Sequence, residues 1–201
     1  MPDLSFELSL GVPRVAGIDE AGRGPWAGPV VAAAVVLDPA RLSPEMLGGL
    51  DDSKKLAKPV RQLMYDMVTA SAVTAVGIAG VEEIDRLNVL EATMLAMRRA
   101  FDALSLPVPC AIVDGNRAPE LGCRTYCLVG GDGSSLSIAA ASVVAKVTRD
   151  RIMAGLASEY PGYGWEHNAG YGTREHADAL SRLGVTPHHR RSFAPVARLC
   201  K

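Results

Sequence analysis

Apolar positions in this chain fall into short extended runs early on and into helical patterns later. Val15 to Glu20 is an apolar run that turns acidic at its end and stops at the glycine-rich loop Gly22-Arg23-Gly24-Pro25. Val30 to Leu37 is a second run, β-branched and alanine-rich, closed by Asp38-Pro39. Runs of this length between turn formers read as strands, and the short link between them predicts an antiparallel hairpin. A helix is expected from about Pro59, a suitable first helical residue, to about Ala70, and a third strand over Val73 to Ala79. Val81 to Leu104 carries the clearest helical period. Ile84, Leu87, Leu90, Met94, Met97 and Phe101 recur at three- and four-residue steps, and Pro107 closes the stretch.

Further on, Cys110 to Val113 predicts a short strand that delivers Asp114 at its end. Tyr126 to Val129 predicts another, followed by Gly130-Gly131-Asp132-Gly133. A long helix is expected from Ile138 to about Glu159, where Tyr160-Pro161-Gly162 breaks it, and Thr173 caps a further helix that ends at Gly184. Strands followed by alternating helices and strands imply an α/β fold, a mixed sheet with helices packed on it. Residues 1 to 201 are read as one domain, in which about 160 to 201 form a helical and loop extension of the same body.

Composition narrows this picture only modestly. Apolar residues at 48% and charged residues at 21% describe an ordinary globular domain, and 5% aromatics argue against an aromatic-rich binding module. A net charge of −1 does not advertise a polyanion partner, so such a partner would need basic residues gathered on one face. The tail does gather them: His188, His189, Arg190 and Arg191 run together, with no acid after Asp178. Four cysteines without paired spacing fit neither a disulfide framework nor a zinc site. The N-terminus lacks a basic region followed by an apolar run, and Pro29 to Leu37 is too short to span a bilayer. A cytoplasmic, membrane-free monomer is therefore expected.

The acids change the picture more. Asp19 and Glu20 end the first strand, Asp114 ends a later one, and Asp132 follows a third among glycines. Carboxylates at strand ends can converge at one sheet edge, where mutual repulsion calls for a cation. Hard oxygen ligands suit Mg²⁺ or Mn²⁺, and two such ions can activate a water and stabilise the leaving oxygen of a phosphodiester. Each acid taken singly is explained as well by turn formation. Alternation along a regular strand also sends Asp19 and Glu20 to opposite faces unless the strand bends. The Gly22-Arg23-Gly24 loop would let a backbone approach a sugar hydroxyl or a phosphate, and a tight hairpin turn explains it equally well.

Six blocks in order resemble bacterial ribonuclease HII. They are Gly17 to Pro25, Asp52-Ser53-Lys54-Lys55-Leu56, Asp114-Gly115-Asn116, Ala140 to Asp150, Gly170-Tyr171-Gly172-Thr173 and His188 to Phe193. The resemblance implies a ribonuclease-H-like fold with a central five-stranded mixed sheet. It implies four metal-binding acids, Asp19, Glu20, Asp114 and Asp132, whereas the related HIII type has Glu as its fourth. It implies that Gly22-Arg23-Gly24 reads a ribonucleotide 2′-hydroxyl and that Tyr171 packs on the sugar at the RNA-to-DNA junction. The implied activity is cleavage of RNA/DNA hybrids and incision 5′ of single ribonucleotides embedded in duplex DNA, leaving 3′-hydroxyl and 5′-phosphate ends. Lys54 and Lys146 head the candidates for phosphate contact, followed by Lys55, Arg149, Arg190 and Arg191. One departure stands out: Ala169 occupies a place where the family often has lysine. A sliding-clamp partner fits the resemblance, but the segment after Phe193 shows no clamp-binding motif. Two rival readings use the same acids: a nuclease of this fold indifferent to the 2′-hydroxyl, and a hybrid binder that does not cut.

Overall fold

The computed structural model describes residues 1–200. Its strands are β1 (Val15–Ala21), β2 (Val30–Val36), β3 (Val73–Ala79), β4 (Cys110–Asp114) and β5 (Arg124–Leu128), joined in one sheet of order β3-β2-β1-β4-β5. β2 runs antiparallel to β1 and β3, while β4 is parallel to β1 and β5 parallel to β4. The helices are α1 (Ser5–Ser9), α2 (Pro44–Gly49), α3 (Lys58–Ser71), α4 (Val81–Leu87), α5 (Val89–Asp102), α6 (Leu136–Glu159), α7 (Trp165–Asn168), α8 (Arg174–Leu183) and α9 (Ala194–Ala197). None among the described residues is long and apolar enough to cross a membrane.

Helices cover both faces of the sheet, which is why β2 can be apolar at every position. Ala16, Ile18, Val30, Ala32 and Ala34 pack with Ala92, Ala96 and Met97 of α5 on one face. Ala33 and Val35 pack with Ala140, Val143 and Val144 of α6 and with Met64 and Val68 of α3 on the other. After α6 the chain builds a smaller core around the buried Trp165, with Ala27, Met153, Tyr163, Leu180 and Val196.

Three sequence expectations need correction. The helical stretch from Val81 to Leu104 is two helices, because Asn88 adopts φ +72° and its side chain accepts from the amides of Leu90 and Glu91 to start α5 afresh. The last strand begins earlier, at Arg124, and leaves Val129 exposed beyond its end. The long helix starts at Leu136, where the Ser135 side chain caps it. The short helices α1, α2, α7 and α9 span too few residues to show a period.

α6 lies so close to β1 that a Cβ on Gly17 would overlap the backbone of Ser137 and Ile138. Backbone cannot swing aside as a side chain can, so Gly17→Ala is expected to cost ~3 kcal/mol, at the upper end of overpacking penalties. For a chain of this size that is a fall in Tm of roughly 6–12 °C. A thermal melt of the variant checks it, and an unchanged Tm would contradict this packing.

Candidate functional site

β1 and β4 run parallel with Ile18 opposite Val113, so the next residue of each, Asp19 and Asp114, occupies neighbouring positions on one face. It is the α6 face, since Gly17, two residues before Asp19, meets that helix. Asp132 arrives from the 3-10 turn Gly131–Gly133, which follows β5 through Gly130 in the left-handed region. The Gly131 amide donates to Asp114 Oδ1 at 2.7 Å and so ties that turn to the end of β4. A carboxylate oxygen from each of Asp19, Asp114 and Asp132 lies within 4.8 Å of the other two.

This is an expensive arrangement without a cation. Burial, then the charges of Glu20 and Asp114, push the Asp19 carboxyl well above the usual carboxylate range. Burial, then Asp52 and Asp114, raise Asp132. Asp19 is 4% exposed, while the other two are half-buried and open the cluster to solvent on one side. Hard oxygen donors, net negative charge and open positions fit a Mg²⁺- or Mn²⁺-type ion.

Glu20 is not in that group. Its register runs unbroken from Asp19–Ala33 to Ala21–Val31, so no bulge reorients it and alternation turns its side chain to the α5 face. There its carboxylate meets Arg23 Nη1 at 3.3 Å. Burial raises the Glu20 carboxyl, against the lowering pull of Arg23.

Beside the acids lies a groove of about 520 Å³ lined by Glu20, Gly22, Arg23, Gly24, Ser53, Lys54, Lys146 and Tyr171. Tyr171 is 45% exposed, and its Cε1 lies 3.5 Å from where a Gly24 Cβ would stand, so loop and ring face each other. Lys54 is exposed. Burial alone would lower its ammonium, but Asp19, Asp52, Asp132 and Asp114 together raise it. Its loop is anchored from below: buried Ser53 accepts from Ser142 Oγ of α6 at 2.7 Å, and its carbonyl accepts from Arg61 at 2.6 Å. Lys146 is half-buried and donates to Asp150 at 2.7 Å. Lys55 pairs with Asp51 at 3.3 Å, and Arg191 is exposed.

Arg149 stands at the groove wall, but it and Arg190 are only 1% and 0% exposed and their guanidinium groups are committed to backbone carbonyls, which overturns their reading as phosphate contacts. Both are buried, and neither guanidinium meets a carboxylate. Arg149 donates to the carbonyls of Pro29, Ala27 and Ala169 at 3.0, 3.1 and 2.9 Å. Arg190 donates to the carbonyls of Gly28, Arg23 and Gly22. Burial draws Arg149 down to about 10 and Arg190 to about 9. They are interior cations that hold the glycine loop by its carbonyls. Ala169, in the left-handed region at φ +47°, offers its carbonyl to that clamp. No local sequence pattern marks these roles, because the loop carbonyls lie more than a hundred positions from either arginine and Ala169 lies 20 from Arg149.

Comparison with known proteins bears on the family and the fold. Residues 16–196 match the family model described as Ribonuclease HII. A Ribonuclease HII of Paramagnetospirillum magneticum is 65% identical over 198 residues, covering 98% of both chains. The ribonuclease H2 of Pyrococcus horikoshii OT3 superposes with a TM-score of 0.77 at 25% identity, covering 92% of this chain and 96% of that one. A Bst-RNase HIII solved with Mn²⁺ shares the fold at 19% identity and a TM-score of 0.74, covering 100% of this chain and 73% of that one.

Proposed function

The chain belongs to the ribonuclease HII family of divalent-metal-dependent endonucleases acting on RNA/DNA hybrids, and from that premise we propose that it also incises duplex DNA 5′ of single embedded ribonucleotides. The observation that carries this reading is the adjacency of two half-sites at the end of β1, since the groove lining begins at Glu20, the residue after Asp19. The acids Asp19, Asp114 and Asp132 lie on one face, and the groove of Gly22, Arg23, Gly24 and Tyr171 opens directly beside them.

Asp19, Asp114 and Asp132 would hold Mg²⁺ or Mn²⁺, with Asp19 the most enclosed of the three. A bound pair of such ions would supply an activated water and a charge sink for the leaving oxygen. Glu20, on the other face of β1, holds Arg23 of the substrate loop. The loop amides and carbonyls of Gly22-Arg23-Gly24 read the 2′-hydroxyl, the group by which RNA differs from DNA. Tyr171 packs on the adjoining sugar, and Lys54 and Lys146 take phosphates, which fixes register without reading sequence.

The test uses one duplex with a single ribonucleotide and one of DNA alone, each with Mg²⁺, with Mn²⁺ and with chelator. Metal-dependent cutting of the first, on the 5′ side of the ribonucleotide with 3′-hydroxyl and 5′-phosphate ends, is the expected result. Equal cleavage of both duplexes, or no cleavage of the first, contradicts the reading.

A further inference from the structure

Two buried histidines behind Tyr171 take no part in the chemistry above, and their hydrogen bonds have one direction only. Two obligate donors fix it. The Thr186 amide donates to His189 Nδ1 at 3.0 Å, which leaves the His189 proton on Nε2. The Trp165 indole donates to His176 Nε2 at 3.1 Å, which leaves the His176 proton on Nδ1. His189 Nε2 then donates to His176 Nε2 at 3.0 Å, and His176 Nδ1 donates to the Tyr171 carbonyl at 2.9 Å. This assignment is the one that serves all four contacts, with the single lone pair of His176 Nε2 shared between the Trp165 and His189 protons and the Thr186 hydroxyl standing 2.9 Å from His189 Nδ1 as well.

We propose that His176 and His189 are positioning residues that hold Tyr171 against the Gly22-Arg23-Gly24 loop through this relay, so that alignment of the ribose depends on a neutral histidine pair. The proposal rests on the role given to Tyr171 above. The segment it steadies needs outside support: Ala169 and Gly170 precede Tyr171 with φ of +47° and +82°, and Tyr171 itself is exposed. Its amide donates to the Asn168 carbonyl, and its carbonyl accepts from Thr173 as well as from His176. On the far side, the Arg190 amide donates to the Trp26 carbonyl and the Trp26 amide to the Gly170 carbonyl. The residue after His189 therefore grips the substrate loop while His189 steadies the ring that faces it. Burial, then the neighbouring His176 and His188, hold His189 down to about 4, and burial lowers His176 despite Glu175 nearby. Both shifts run in the direction the relay needs, since it uses an unprotonated nitrogen on each ring.

Two measurements test this. In protein labelled with ¹⁵N-histidine at pH 7, His189 should appear protonated on Nε2 and His176 on Nδ1; the opposite tautomers overturn the relay. In steady-state cleavage of a duplex with one ribonucleotide, His176→Phe should lower kcat about tenfold with little change in KM, since it misaligns the sugar without removing a contact. His176→Asn, whose amide nitrogen stands about where Nδ1 does, should recover most of that loss. The double variant His176→Phe with Tyr171→Ala should be no slower than Tyr171→Ala alone. Multiplying losses, or a lower Tm with unchanged kcat, would reduce the pair to structural filling and overturn the proposal. Full activity of Tyr171→Ala beside the expected tautomers would instead refute the sugar-packing role and leave the relay standing. If His176→Phe does not fold, the tautomers of the unaltered protein decide.

Discussion

Asp114→Asn is expected to leave a folded protein that binds hybrid duplex and no longer cuts it. Asparagine keeps Oδ1, so the 2.7 Å bond from the Gly131 amide and the placement of Asp132 survive. A negative oxygen facing Asp19 and Asp132 is lost. A metal ligand worth ~4 kcal/mol of transition-state stabilisation corresponds to about a thousandfold in rate. Stability should move the other way. The carboxyls of Asp19 and Asp132 are raised, so the metal-free fold binds more protons than the unfolded chain between the ordinary carboxylate range and those raised values. Stability therefore falls as pH rises through that window, because ionising the cluster is costly. Removing one charge relieves that cost. Without metal at neutral pH the variant should melt ~2–4 °C higher than the parent, for a gain of about 1 kcal/mol. The gain should fade on acidification, as protonation relieves the parent in the same way. Added Mg²⁺ or Mn²⁺ should raise the Tm of the parent and not of the variant. Cleavage at the parent rate, or equal metal-induced stabilisation of both, would show that the metal is held elsewhere.

How far this arrangement was legible in the sequence depended on how local its causes are. β1 and β2 could be read because each is a β-branched or alanine run ended by turn formers, and the short link dictated antiparallel pairing. Asp19 and Asp114 stood out as strand-end acids, and their adjacency needed only the parallel register of β1 and β4. Alternation also anticipated that Glu20 would leave that face. The break at Asn88 was hidden because the apolar period continues across it, with α4 and α5 presenting one stripe to the sheet. Hardest to see were Arg149 and Arg190. An arginine on a helix or in a basic tail reads as a surface charge, and only the folded path of the loop from Gly22 to Pro29 brings carbonyls that need donors. The family resemblance carried the blocks that contain both residues without revealing that they point inward.

Those two arginines lead to the second large effect. Arg190→Met should fold less stably and cut ribonucleotide-containing duplex at least a hundredfold more slowly. The guanidinium supplies donors to the carbonyls of Gly28, Arg23 and Gly22, and methionine fills much of the space while supplying none. Hydrogen bonds to a charged group contribute ~1.5–3 kcal/mol each, and a buried carbonyl left unpaired costs about as much again. Even allowing for non-additivity, ~3 kcal/mol of loop anchoring should go, and a shift of about 1 Å in a positioning loop can cost 10²-fold in rate. Duplex affinity should fall little, because Lys54 and Lys146 on the groove wall are anchored independently, through Ser53–Ser142 and through α6. Arg190→Lys separates charge from geometry. A lysine starts lower than arginine and is drawn down by the same burial, so it sheds its proton as pH rises through and beyond neutrality. The ratio of its rate to that of the parent should therefore fall with rising pH, while the Arg190→Met ratio stays flat. A flat ratio for lysine as well would mean that the loop needs filled space behind it and not a cation.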